Sequence, residues 1–230
     1  MRIESFSMAQ EEPKIQIEIK PEFSLFVPDN FKTAPFEYFE REGKNVKSGE
    51  IKYKESGEIS EDPTAVKEFP VWRNSQNEEV SVIAKRVNIT KSEVRHSGDA
   101  FYEYHIMELA HEFNLPCVKP IGKVELDGKF LFLTEKAEGI KGFEKEMSSL
   151  KERGYSSDEI NSIQEQAQKM TEKLKERYDA VGIMRKWELK DMVFDIDFEM
   201  KTIKSVIPTD FEKTKIDQPK FFEAREKRMG

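Results

Sequence analysis

The chain has 230 residues, of which 36% are charged and 37% hydrophobic, with a net charge of -7. A charged share well above the usual quarter implies a densely charged surface, and the net acidity argues against nucleic acid as a partner. No apolar run approaches the ~20 residues of a membrane helix, Met1-Arg2-Ile3-Glu4-Ser5 begins no secretory signal, and Cys117, the single cysteine, excludes internal disulfides and a multi-cysteine zinc site; no membrane and a cytoplasmic location are expected.

Residues 1–49 read as an aromatic-rich arm. Ile15-Gln16-Ile17-Glu18-Ile19 alternates like a strand with one buried face. Pro21, Pro28 and Pro35 punctuate the stretch that follows, which carries Phe23, Phe31, Phe36, Tyr38 and Phe39. Two readings of the arm stand: an ordered segment packed on the main body, or a partly disordered segment that binds a protein partner.

Residues 50–136 are strand-rich. Glu50 to Lys54 alternates, and Ala65 to Arg73 reads as a strand that Pro70 makes bulged or places at an edge. Val80 to Val87 is β-branched and bounded by polar turns. A helix follows, with Ser97 as N-cap, Asp99 near its first turn and an apolar stripe of Tyr102, Ile106, Leu109 and Phe113. Cys117 to Leu126 and Lys129 to Glu135 are strands joined by Asp127-Gly128, a hairpin signal. Cys117 itself reads as a buried small hydrophobe. The spacing of His105 and His111 puts them on different helix faces, and His96 reads as a surface residue.

Residues 137–230 open with helices. Ser156-Ser157-Asp158-Glu159 is a capping box ahead of a 3/4-spaced apolar run to about Asp179. Strands at Met192 to Ile196 and Thr202 to Pro208 form a hairpin, and a short helix covers Phe221 to Arg228.

Five places, in this order, resemble the protein-kinase-like fold. Val82-Ile83-Ala84-Lys85 is similar to the V-A-I-K strand, and Glu103 stands on the next helix. Phe132 to Gly139 resembles the hinge strand, including Glu135. Gly182 to Lys190 is similar to the end of the long helix running into the catalytic loop. Asp210-Phe211-Glu212 resembles the D-F-G segment in a D-F-E form. The resemblance spans roughly residues 50–217 and points to a small atypical kinase or pseudokinase, RIO-like or aminoglycoside-phosphotransferase-like. It implies an α+β, two-lobed fold with a minimal C-lobe, because only 20 residues follow Asp210. It also implies ATP and magnesium. Lys85 would contact phosphates, Glu103 would hold Lys85, Glu135 would line the nucleotide site, and Asp210 would hold the metal.

The departures bear on activity. Aligned on Leu189, the family's catalytic aspartate becomes Glu188 and its metal-binding asparagine becomes Val193, which has no oxygen ligand. The loop Ser56 to Asp62 is poor in glycine and carries Glu58, Glu61 and Asp62, which repel phosphate. Two function classes therefore stay open: a nucleotide-binding protein with weak or lost phosphotransfer, and a pseudokinase-type interaction module.

Overall fold

The computed structural model describes residues 15–24, 27–46, 66–74, 76–87, 98–141, 143–211 and 213–229. The expected strand at 50–54, the acidic loop at 56–62, His96, the Ser97 cap and Glu212 lie outside them. Among the described residues the fold is mixed α+β with antiparallel sheets. No described helix is long and apolar enough to cross a membrane.

The arm is ordered over its described residues and runs β1 (Gln16–Ile19), α1 (Pro21–Ser24), α2 (Asp29–Thr33), α3 (Pro35–Glu42) and β2 (Lys44–Asn45). Its prolines start helices. Pro21 and Pro35 are first-turn residues, and Pro28 caps α2. A first-turn proline loses no hydrogen bond and has its φ already set for a helix. Next come β3 (Val66–Arg73) and β4 (Glu79–Arg86). The β3–β4 register shifts between Phe69 and Trp72, around Pro70, the residue that cannot donate to the ladder.

α4 (Tyr102–Glu112) follows, and Asp99 shapes its entrance by accepting the Phe101 N–H at 2.8 Å and pairing with His105 at 2.7 Å. β5 (Pro120–Leu126) and β6 (Lys129–Glu135) then close a hairpin through Asp127 and Gly128, both at positive φ. The sheet order is β1-β5-β6-β4-β3-β2, so the arm supplies both outer strands. On β4, Val80, Val82 and Ala84 are buried and alternate with half-buried Ser81, Ile83 and Lys85. The buried set meets the arm. Phe31, Tyr38, Phe39, Phe69 and Trp72 form an edge-to-face and stacked aromatic cluster there, with ring centres 5.0–6.2 Å apart. Glu40 of α3 also holds Lys67 of β3 and Arg86 of β4.

The rest of the chain forms β7 (Ile140–Lys141), α5 (Phe143–Glu152), α6 (Ser157–Ala180), β8 (Ile183–Met184), a 3₁₀ turn (Leu189–Asp191), β9 (Met192–Asp197), β10 (Thr202–Pro208), β11 (Lys215–Ile216) and α7 (Gln218–Met229). Ser156 and Glu159 form the capping box of α6. β10, β9 and β7 make a small sheet, and β11 pairs with β8. A second core joins α4 to this half through Met107, Leu150, Ile163, Tyr178, Phe194 and Phe211, among others. Gly139, at φ +126, lets the chain leaving β6 pass against β9, since a Cβ there would sit 2.5 Å from the Phe194 carbonyl oxygen.

Candidate functional site

Alternation on β4 turns Lys85 away from the arm and toward α4. Its Nζ meets Glu103 Oε2 at 2.5 Å and lies 5.8 Å from the centre of the Phe132 ring. Both side chains are largely buried, 17% and 11% exposed. The other oxygen, Oε1, accepts the N–H of Phe211 at 3.2 Å. One carboxylate thus ties β4, α4 and the Asp210–Phe211 segment together. Burial pushes the Glu103 carboxyl up, Lys85 pulls it down, and the charge of Asp210 pushes it up again. A second tie runs from Tyr102 Oη to the carbonyl of Thr214, at 2.8 Å. Phe211 is fully buried beside Tyr178, with the Arg185 guanidinium 4.9 Å from its ring centre.

The facing wall is set by the β9–β10 hairpin. Its last pair is Met192 with Pro208. One step further, the carbonyl of Asp191 accepts both the N–H and the hydroxyl of Thr209, at 2.9 and 3.1 Å. This register brings the Asp191 carboxylate beside Asp210. Burial and the Asp210 charge push the Asp191 carboxyl up, while Arg185 and Lys190 pull it down. Arg185 is desolvated, which works against its charge, and Tyr178, Asp210, Asp191 and Glu103 sustain it.

Val193, the residue aligned with the family's metal-binding asparagine, is a buried strand residue paired with Ile207 and Lys141, and it lines the floor of the cleft. The loop's carboxylate beside Asp210 comes from Asp191. A sequence signal for it exists: Asp191 precedes the apolar start of one hairpin strand, and Asp210 follows the end of the other. Glu188 lies on the same wall but is engaged by Lys186 and, at 2.7 Å, by Lys190. Those two lysines hold its carboxyl down at about 2.

Between the walls is a cleft of about 350 Å³, lined by Lys85, Glu103, Glu135 and Asp210 and by apolar Val66, Ile83, Phe132 and Val193. It thus brings together four of the five residues expected from the sequence, and Glu188 stands outside its lining. Glu135 is the last residue of β6, its N–H donating to the Lys119 carbonyl at 2.8 Å. Val46, just after β2, also reaches the cleft. The Cys117 thiol is buried and pushed up to about 12 by desolvation, the state of a packed residue and not of a nucleophile. Among the described residues no three His, Cys, Asp or Glu side chains cluster as a metal cage. Asp210 lines the cleft, and Asp191, outside its lining, stands beside it in the adjoining hollow; these two carboxylates are what this side offers a cation. That donor set suits magnesium, which commonly takes one or two carboxylates together with phosphate oxygens and water.

Compared with protein-family models and with curated proteins, the chain gave no match.

Proposed function

We propose that the protein binds ATP with magnesium in this cleft as a small, two-lobed, protein-kinase-like protein, and that its phosphotransfer is weak. The observation that carries the reading is the double engagement of Glu103, which holds Lys85 with one oxygen and the Phe211 N–H with the other, beside Asp210. A cation fixed in this way suits phosphate oxygens, and the apolar strip of Val66, Ile83, Phe132 and Val193 suits a flat base. Asp191 and Asp210 would hold the metal, which when bound neutralises charge on the transferred phosphate. Asp191 restores an oxygen ligand that alignment on Val193 removes. The weak point is the base. Glu188 paired with two lysines and held at about 2 is a poor proton acceptor.

That same pairing favours a second reading, an interaction module that keeps the scaffold and engages a protein partner without nucleotide chemistry. Calorimetry with ATP separates the two. Wild type is expected to bind ATP only with magnesium, and Asp210→Asn is expected to weaken binding about tenfold, the loss of one charge-assisted contact. No magnesium-dependent binding by wild type would leave only the interaction module.

A further inference from the structure

The arm meets the main sheet in two different ways. On the face turned away from the cleft, β3 presents Lys67, Phe69 and Trp72, and β4 presents Val80, Val82, Ala84 and Arg86. Most of that face is sealed by apolar contact, with Phe31 packed on Phe69 and Trp72 at ring-centre distances of 5.8 and 5.2 Å. The seal turns ionic only at the end of the strands that carries Lys85. There Glu40 of α3 receives Lys67 Nζ on Oε2 at 2.7 Å and Arg86 Nη2 on Oε1, and its carbonyl oxygen also accepts from Lys67 Nζ, at 3.2 Å. Both cations lie over the Phe39 ring, 4.8 and 5.1 Å from its centre. Lys67, only 7% exposed, is the most buried charged residue among those described. An apolar residue would seal such a position at least as stably, and what a matched buried ion pair adds is a fixed geometry.

Behind this bracket lies the cleft. Val66 and Lys85 face each other across β3 and β4, and alternation puts them on the opposite face from Lys67 and Arg86, among the residues of the cleft lining. Past α3 the chain presses on the Lys67 stem, where a Cβ on Gly43 would sit 2.7 Å from Lys67 Cδ. It then pairs with β3 and leads to Val46, which donates its N–H to the Val66 carbonyl at 3.1 Å and lines the cleft itself. We infer that Glu40 is a positioning residue for the nucleotide site: acting from behind the sheet through Lys67 and Arg86, it holds the strand ends that carry Val66 and Lys85. The inference rests on the proposed function for the nucleotide, and on the contacts of Glu40 for the rest. Removing the Glu40 charge leaves Lys67 and Arg86 side by side without their shared partner. The ends of β3 and β4 then loosen, and Lys85 loses its fixed place on the cleft.

The test reads Lys85 directly and the site separately, on the full chain. Brief acetylation with acetic anhydride, followed lysine by lysine by mass spectrometry, reports how firmly each ammonium is held, and calorimetry reports the binding of ATP with magnesium. The Glu40 side chain is 54% exposed, so Glu40→Gln is expected to fold. It is expected to raise acetylation of Lys85 severalfold while Lys123, which the arm holds elsewhere through Glu18, is unchanged. ATP affinity is expected to fall about fivefold, a partial loss of one charge-assisted contact. Arg86→Gln opens the same bracket from β4 and is expected to act in the same direction. Phe31→Leu is the control, because it loosens the apolar seal at the other end of the same strands. It is expected to lower unfolding stability at least as much while Lys85 acetylation and ATP affinity hold. Unchanged Lys85 acetylation in Glu40→Gln and Arg86→Gln overturns the inference, whether or not ATP affinity falls. So does raised acetylation with unchanged affinity, or an equal effect from Phe31→Leu, which would make the arm a general support. If wild type binds no ATP with magnesium, the nucleotide reading fails, and the acetylation pattern alone then upholds or overturns the hold of Glu40 on Lys85.

Discussion

On one wall of the cleft, Lys85 and Glu103 are largely buried and joined at 2.5 Å, and the same carboxylate holds a backbone N–H. Outside the cleft's lining, on the wall of the smaller hollow next to it, Lys186 and Lys190 are about 70% exposed and share Glu188. The two walls carry similar charges in opposite environments. A buried pair has lost its water, so each partner depends on the other. An exposed pair is solvated and screened, and either partner is dispensable for folding. The first wall therefore reports on architecture as much as on function. The second is free to be tuned for chemistry.

The largest effect is expected at Glu103. Glu103→Ala leaves Lys85 and the Phe211 N–H without that carboxylate, at a cost of about 3 kcal/mol in denaturant unfolding. Replacing the pair with apolar residues, Lys85→Met with Glu103→Leu, is expected to recover most of that stability while ATP binding stays lost. If stability does not return, the pair is more than a compensated charge. If binding returns with it, the pair has no ligand role.

A smaller effect separates Asp191 from Val193. Asp191→Asn relieves a carboxylate that burial and Asp210 both disfavour, so unfolding stability is expected to hold or rise slightly while magnesium-dependent ATP affinity falls. Val193→Asn, which alignment alone would suggest as a repair, is expected to gain no metal affinity. It should cost about 1–3 kcal/mol, because it puts an amide on a buried strand position. A gain of activity from Val193→Asn would restore the original loop alignment and remove Asp191 from the site.

The smallest effects belong to the exposed pairs. Glu188→Ala is expected to leave unfolding stability almost unchanged, because solvent screens the pair. In acid the lowered and the raised carboxyls act with opposite signs. Glu188 and, on α6, Glu159 are held down at about 2, so their contribution is whole above their ordinary 4.5 and is lost as pH falls from there toward 2. Glu103 and Asp191 are pushed up, so their charged forms oppose folding at neutral pH, and protonation relieves that opposition as pH falls through their raised values. Thermal midpoints measured from pH 5 downward, on wild type and on Glu159→Gln with Glu188→Gln, check the sign: the double variant is expected to lose less on acidification.

Elements with strong local chemistry were legible in the sequence. The alternation of β4, the capping box of α6 and the Asp127-Gly128 turn are settled within a few residues, and each lies where the residues indicate. The helices of the arm were not, because they are one or two turns long and start on prolines, which read as punctuation. Their stability comes from burying Phe23, Phe31 and Phe39 against distant strands. At the site, Lys85, Glu103 and Asp210 could be named from their order along the chain. Asp191 could not be named from an alignment anchored on Leu189, because its placement depends on which residues of β9 and β10 face each other. That register is a property of the folded hairpin.

Because the arm forms both outer strands of the main sheet, the beginning of the chain works as a buckle. Residues 16–19 find their partner only at residues 122–125, after β3, β4 and α4 have been synthesised. Until then the inner strands show bare edges and an unsealed apolar face, the conditions under which strands pair with the wrong neighbour. Closing a loop of that length is slow relative to forming the β5–β6 hairpin. In a pulse of hydrogen exchange during refolding, the amides of β1 and β2 therefore gain protection after those of β6. The order of synthesis makes residues 16–19, which precede their partner strand by about a hundred residues, among the last to lock.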